Sequence, residues 1–324
     1  MNRLKYPLLF LLPLMTALAC LGVGRMVIPF GEVAAALTGR AENAVVTGMR
    51  LPRVLLALLV GGGLSAAGTA FQSLFANPLA TPDTLGVAAG ASFGAVVGLF
   101  FGLPLLAVQL LALAAGFSAV FMTISVGRGR QGAVSRATVV LSGLVVSSLF
   151  TAFISFFKYI ADTESRLPAI TYWLMGSLTS ASFGRLALGA PFILAGTGLL
   201  FTLRWRLNLL PLSEDEARSA GVNLPLLRGL TALSATMITA SAVSMCGQVG
   251  WVGLLIPHIC RMALGGDNRK LIPASVGLGA AFLVVIDTAA RSLTPSEIPI
   301  SVLTAIIGAP FFIALLRKNG GWEL

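Results

Sequence analysis

The chain is a succession of long apolar runs broken by short polar stretches. A run of about 20 apolar residues can cross a bilayer as a helix. On that basis spans are predicted at roughly 7–28, 53–75, 84–103, 105–126, 137–158, 184–204, 229–247, 249–265, 271–293 and 299–317. The divisions at Leu103-Pro104 and near Gly247-Gln248 are the faintest, because almost nothing polar separates the neighbouring runs. Gly61-Gly62-Gly63, Ser65-Ala66-Ala67-Gly68 and Gly86 to Gly94 put small residues inside spans, where helix backbones can approach closely. Gly247-Gln248-Val249-Gly250 and Ile256-Pro257-His258 put helix breakers in apolar surroundings. Non-helical backbone at membrane depth survives only beside protein or a hydrated cavity, so broken helices lining a path are predicted. Asp83, at the end of a short loop, is placed to cap the third span. Ile170–Leu178 is amphipathic, aromatic and too short to cross, which predicts a helix at the outer interface.

The longest polar interruption runs from Arg204 to Arg228. Ser213 and Glu216 have the spacing of a capping box, in which each side chain satisfies the other residue's amide. Glu214, Asp215 and Glu216 place negative charge at the positive end of that helix, and Arg218 lies nearer its other end. Gly221 suits a left-handed C-terminal position, and Asn223 could cap a second short helix. Two short helices are therefore predicted on the membrane surface in mid-chain. They form either a docking surface for another protein or a well-capped linker.

Composition supports the membrane reading. Of 324 residues 56% are hydrophobic and 10% charged, against about 25% charged in soluble domains. This predicts an all-α polytopic membrane protein of about ten transmembrane helices in one domain, 1–324, with no room for a soluble domain. The net charge of +10 is read as the Lys and Arg excess that orients spans, not as a nucleic-acid footprint. With both termini in the cytoplasm, the inner segments hold most of these residues and the 213–227 loop is cytoplasmic. Arg25, Arg40, Arg50, Arg53, Lys158, Arg166, Arg185 and Arg291 fall outside, and call for another explanation. Arg3, Lys5 and the apolar run after them resemble a signal peptide. The run continues to about Ile28, which favours a retained first helix.

Several chemistries find no residues. No GxxxxGK[ST] motif exists, so ATP is not bound that way. Cys20, Cys246 and Cys260 lack metal or redox spacing and read as packing residues. His258, the single histidine, reads as a packed, hydrogen-bonded side chain rather than a ligand. Asp287 alone lies clearly within a span, paired with Arg291 four residues on. An ion-coupled secondary transporter, the other class compatible with broken helices, would bury more ionisable groups and need no capped docking loop.

Four stretches, in order, resemble one family: MRLPRVLLALLVGGGLSAAGTAFQSLFANPLATPDTLGVAAGAS (49–92), LPLSEDEARSAGVN (210–223), GQVGWVGLLIPHICRMALGGDNRKLIP (247–273) and DTAARSLTPSEIPISVLTAIIGAPFFIALL (287–316). These resemble the FecCD-type permeases of ABC importers for iron chelates, haem and cobalamin. The resemblance implies ten spans and a permease, not an enzyme, in the bacterial inner membrane. It implies a second permease copy or homologue, two cytoplasmic ATPase subunits that carry ATP and magnesium, and an external substrate-binding protein. No cofactor or metal is implied for this chain itself. The loop at about 211–227 would hold the coupling helices that enter the ATPase, with Ser213, Glu214, Asp215, Glu216, Ala217, Arg218, Gly221 and Val222 at the contact. Arg50, Arg53 and Arg291 would meet acidic residues of the binding protein. Ser142, Gly143, Ser147 and Ser148 would face the translocation path, with 170–178 as an outer gate helix. The substrate favoured is an iron chelate.

Overall fold

A computed structural model describes residues 5–127 and 136–318, and these form helices joined by short turns, without strands among the described residues. The first helix, α1 (Lys5–Gly22), ends short of the predicted limit. A turn leads to α2 (Phe30–Leu37), a short helix that buries only Val33 and Ala36. Sequence pattern missed it, because eight residues give too little periodicity and the preceding run is apolar apart from Thr16 and Arg25. Asn43 Oδ1 then accepts from the amides of Val45 and Val46. The helix that follows is π-wound over Val45–Arg50 and continues as α3 (Leu51–Leu74). Pro52 has no N–H for the carbonyl one turn back and its ring crowds that carbonyl, which the wider π winding accommodates.

Beyond α3 lie a 3-10 turn (Pro82–Leu85), α4 (Val87–Phe100), α5 (Leu105–Gly127), α6 (Arg136–Ile160) and α7 (Arg166–Leu174). Then come α8 (Phe183–Leu203), a 3-10 turn (Arg206–Leu209), α9 (Glu214–Ser219), α10 (Leu224–Cys246), α11 (Val252–Leu264), α12 (Asn268–Ser292) and α13 (Ile300–Lys318). Among the described residues six helices are long and apolar enough to cross a membrane, and four shorter ones are apolar. The short helices have identifiable limits. Gly86 and Gly102, both at positive φ, bound α4, and Asp83 caps it through the amides of Ala88 and Ala89. Gly247 and Trp251, also at positive φ, separate α10 from α11. The predicted break is therefore present.

The long helices fall into two groups. The apolar windows of the α3, α10 and α12 spans are 83%, 78% and 72% buried, so these three form the centre. The α6 window is only 28% buried and the helix lies outside. Backbone proximity makes the centre. A methyl group on Gly68 would sit 1.8 Å from the Gly253 carbonyl oxygen, and one on Gly61 2.3 Å from that of Gly279. Such seams need glycine, because dispersion between closely approaching backbones drives association where lipid is as apolar as side chains.

Candidate coupling and docking sites

At one end of the bundle, the 204–223 segment is a built loop. Leu207 and Leu210 are fully buried and fix it to the bundle. The Ser213 amide donates to Glu216 Oε2 at 2.9 Å, and the Glu216 amide reaches Ser213 Oγ at 3.4 Å. The capping box is thus formed, and these bonds from Ser213 hold the Glu216 carboxyl below the usual glutamate range. Gly221 has φ of +70°. The Val222 amide donates to the Ala217 carbonyl at 3.0 Å, the six-to-one bond of a Schellman stop. Ala217, within α9, is fully buried. Ser213, Glu216 and Gly221 are exposed and Val222 is half-buried, while the side chains of Glu214, Asp215 and Arg218 lie outside the described ones.

The expected second short helix is a different element. Asn223 does cap, accepting from the Leu226 amide at 3.1 Å, but the helix it opens is the full α10. Pro225 falls in the first turn, where a missing N–H costs nothing, and after it only the isolated Gly229, which a helix tolerates, precedes Gly247. The short partner of α9 is instead the 3-10 turn at Arg206–Leu209. Its Asn208 was not singled out by the sequence. Asn208 Nδ2 donates to Asp267 Oδ1 at 2.8 Å, and Asn208 Oδ1 accepts from the Asn268 amide and side chain, each at 2.9 Å.

At the opposite end of α3 and α12 lies a charge cluster. Arg53 Nε donates to both Asp287 oxygens at 2.9 and 3.0 Å, and its two terminal nitrogens meet Glu297 at 2.9 and 2.8 Å. Thr179 Oγ1, between α7 and α8, donates to Glu297 at 2.9 Å. Glu297 is held below its ordinary range: burial pushes it up, but the Arg53 bonds and charge and the Thr179 bond outweigh that. The expected Asp287–Arg291 pair is the weaker contact, at 3.8 Å. Arg53 is the principal partner, which spacing along one helix could not reveal.

Arg50 and Arg291, expected to present charge outward, are 6% and 8% exposed. Arg50 donates to the Leu21 carbonyl at 2.7 Å and to that of Met26, and Arg291 donates to the Cys20 carbonyl at 2.5 Å. Both therefore satisfy carbonyls at the C-terminus of α1, where the helix dipole also favours a cation. Arg185 does the same for α10 through the Ser244 carbonyl at 3.3 Å. Three of the outer arginines thus have a structural explanation.

The four expected path residues on α6 differ in their surroundings. Gly143 is buried against the 3-10 turn, where a methyl would meet the Thr84 carbonyl at 2.0 Å, and Ser142 is buried beside it. Ser147 is half-buried and Ser148 exposed. Ser148, Thr151 and Ser155 form an exposed hydroxyl stripe on α6, each donating to a carbonyl one turn back. A separate cavity of about 360 Å³ lies beside the α10–α11 break, lined by Thr81, Asp83, Thr239, Gln248, Trp251 and Ser301 among others. His258 is buried against Phe311 and Phe312, but its Nδ1 has no partner among the described residues. The three cysteines are buried and unpaired, as packing residues would be.

The sequence profile of the FecCD transport family matches residues 11–318. The chain belongs to this family. It is 38% identical to the molybdate import system permease protein MolB of Haemophilus influenzae, over 96% of this chain and 94% of that one. It is 35% identical to the hemin transport system permease protein HmuU of Yersinia pestis, over 98% and 96% of the two chains. A solved structure described as an inward-facing conformation of a metal-chelate type ABC transporter superposes with a TM-score of 0.87 at 38% identity, covering 96% of this chain and 97% of that one. The chain is an importer permease, a multi-pass membrane protein of the ABC class.

Proposed function

We propose that the chain is the membrane-spanning subunit of a binding-protein-dependent importer that carries a metal chelate inward, driven by a separate ATPase. The observation that carries this reading is the α9 loop. It is capped at both ends, seated on Leu207, Leu210 and Ala217, and turns Ser213, Glu216 and Gly221 to solvent. A mere linker has no need of that rigidity, whereas a surface that must transmit force does. The ATPase is the occupant we assign to it, with ATP and magnesium held there and none by this chain.

The remaining parts follow from that assignment. The six long and four short apolar helices supply ten crossings, with both termini and α9 in the cytoplasm of a bacterial cell and membrane lipid around the bundle. The exposed α6 face, with its Ser148–Thr151–Ser155 stripe, is where a second permease copy or homologue meets this one and where the path runs between them. The external binding protein docks over the Arg53–Glu297 end, with Arg50 and Arg291 shaping that surface by holding α1. For substrate we favour an iron chelate, haem or cobalamin, and the likeness to a permease named for molybdate makes that oxyanion the second reading. The test is uptake into proteoliposomes holding the permease and its ATPase, with matched binding protein outside. ATP-dependent accumulation of a ferric siderophore, haem or cobalamin supports the proposal. Accumulation of molybdate alone moves the substrate to the oxyanion, and uptake that ignores ATP but follows an ion gradient overturns it.

A further inference from the structure

The α3 and α12 helices run antiparallel and touch along their whole lengths through a regular series of contacts. At the α9 end, Ser73 Oγ lies 3.2 Å from Asn268 Oδ1. One turn along α3, Thr69 Oγ1 lies 3.0 Å from Ser275 Oγ. The next turns meet backbone to backbone: a methyl on Gly279 would lie 2.0 Å from Ser65 Oγ and 2.5 Å from the Gly61 carbonyl. The last contact is Arg53 with Asp287. Ser73, Thr69, Ser65 and Gly61 recur every four residues, so one face of α3 carries them all. The 24 residues of α3 extend about 36 Å at 1.5 Å per residue, enough to cross the bilayer core.

Both ends of this pair are attached to loops. At one end Asn208, in the 3-10 turn that precedes α9, grips α12 through Asp267 and Asn268, and Asn268 in turn meets Ser73 of α3. At the other end Arg53 holds Glu297, which holds Thr179 in the turn after α7. Packing this close resists sliding, because interiors are dense and low in compressibility. Such a pair is suited to carry a displacement of the loop to its far end.

We propose that Asn208 is the positioning residue that joins the α9 loop to the α3–α12 pair, and that this pair moves as one strut linking α9 to the Arg53–Glu297–Thr179 cluster on the opposite face. The proposal rests on the ATPase reading of α9. Asn208 itself makes no contact with the ATPase in this scheme; it acts through Asp267 and Asn268. Its amide is suited to the role, since the nitrogen donates to Asp267 while the oxygen accepts from Asn268, so the side chain has one orientation only.

The test uses the intact complex in nanodiscs, with ATPase and substrate-loaded binding protein. N208D replaces the donor facing Asp267 with a second carboxylate and breaks the joint. Adding D267N restores a donor–acceptor pair of reversed polarity, and Asn still serves as the N-cap of α12. N208D should retain the ATPase on co-purification and keep its basal hydrolysis. It should lose stimulation by the binding protein about fivefold or more, the scale of a coupling free energy between sites. N208D/D267N should regain most of it. Full stimulation in N208D, or no recovery in the double variant, overturns the strut. Loss of the ATPase from the native chain instead defeats the reading of α9, a separate outcome. If N208D does not fold, S73A, which removes one hydroxyl from the next contact, carries the test: reduced stimulation supports the proposal and undiminished stimulation overturns it.

Discussion

Asp287 offers the sharpest energetic test. It is 1% exposed, and Arg53 is 11% exposed. Truncating one member of a buried pair strands the other, at about 3–5 kcal/mol. D287A leaves Arg53 with both Glu297 bonds, so its cost falls at about 2–3 kcal/mol, below that range. R53A is worse, because Asp287 stays buried with only the distant Arg291 beside it, and about 3–5 kcal/mol is expected. The double variant R53A/D287A strands only Glu297, which is 22% exposed and keeps Thr179. Its cost should undercut the sum of the singles by about 1–3 kcal/mol, as for groups in one network. Thermal unfolding in detergent reads this at about 2 °C per kcal/mol for a chain of this size. D287A should melt about 4–6 °C low, R53A lower still, and the double variant about 2–6 °C above the sum of the two losses. A D287A shift below about 1 °C, or strictly additive losses, would refute the idea that Arg53 and Asp287 act as one unit.

Three further outcomes follow. G68A forces α3 from α11, since the added carbon would lie 1.8 Å from a backbone oxygen, and should cost at least about 1–3 kcal/mol by the same melt; an unshifted midpoint would mean that the seam is not closed. R50M should expose the α1 carbonyls without a partner and lower stability by about 1–3 kcal/mol, read as faster amide exchange in residues 20–28, and a change confined to binding-protein affinity would contradict the capping role. For α9, the lowered Glu216 value means that its bonds stabilise the helix fully above the ordinary glutamate value of about 4.3 and fade as pH falls through the lower folded-state value. Amide exchange across α9 should therefore be slower in native protein than in E216Q at neutral pH, with the gap closing in acid; a constant gap would exclude the charged capping box.

Local signals were legible from sequence, and long-range ones were not. The Ser213–Glu216 box, Gly221, the Asn223 and Asp83 caps and the Gly247–Trp251 break each depend on a few neighbouring residues, and each is present. The extent of α10 was misread because Asn223 marks where a helix begins but says nothing of where it ends. The partners of Asp287 and Asn208 lie on helices distant in sequence, so hydropathy and spacing carry no trace of them. One clue existed: outer arginines that defied the orientation bias required partners, and buried carbonyls at the ends of α1 and α10 supply them. On α6, serine packs at Ser142 and faces outward at Ser148, and composition alone does not separate the two.

The central claim is that the α9 loop is the seat of an ATPase. The most direct measurement is co-purification of the chain with its candidate ATPase from detergent, comparing native protein with a variant in which 213–227 is replaced by a Gly/Ser linker of equal length. The account predicts that the native chain retains the ATPase while the folded variant loses it. Equal retention by both, or none by a folded native chain, would contradict it.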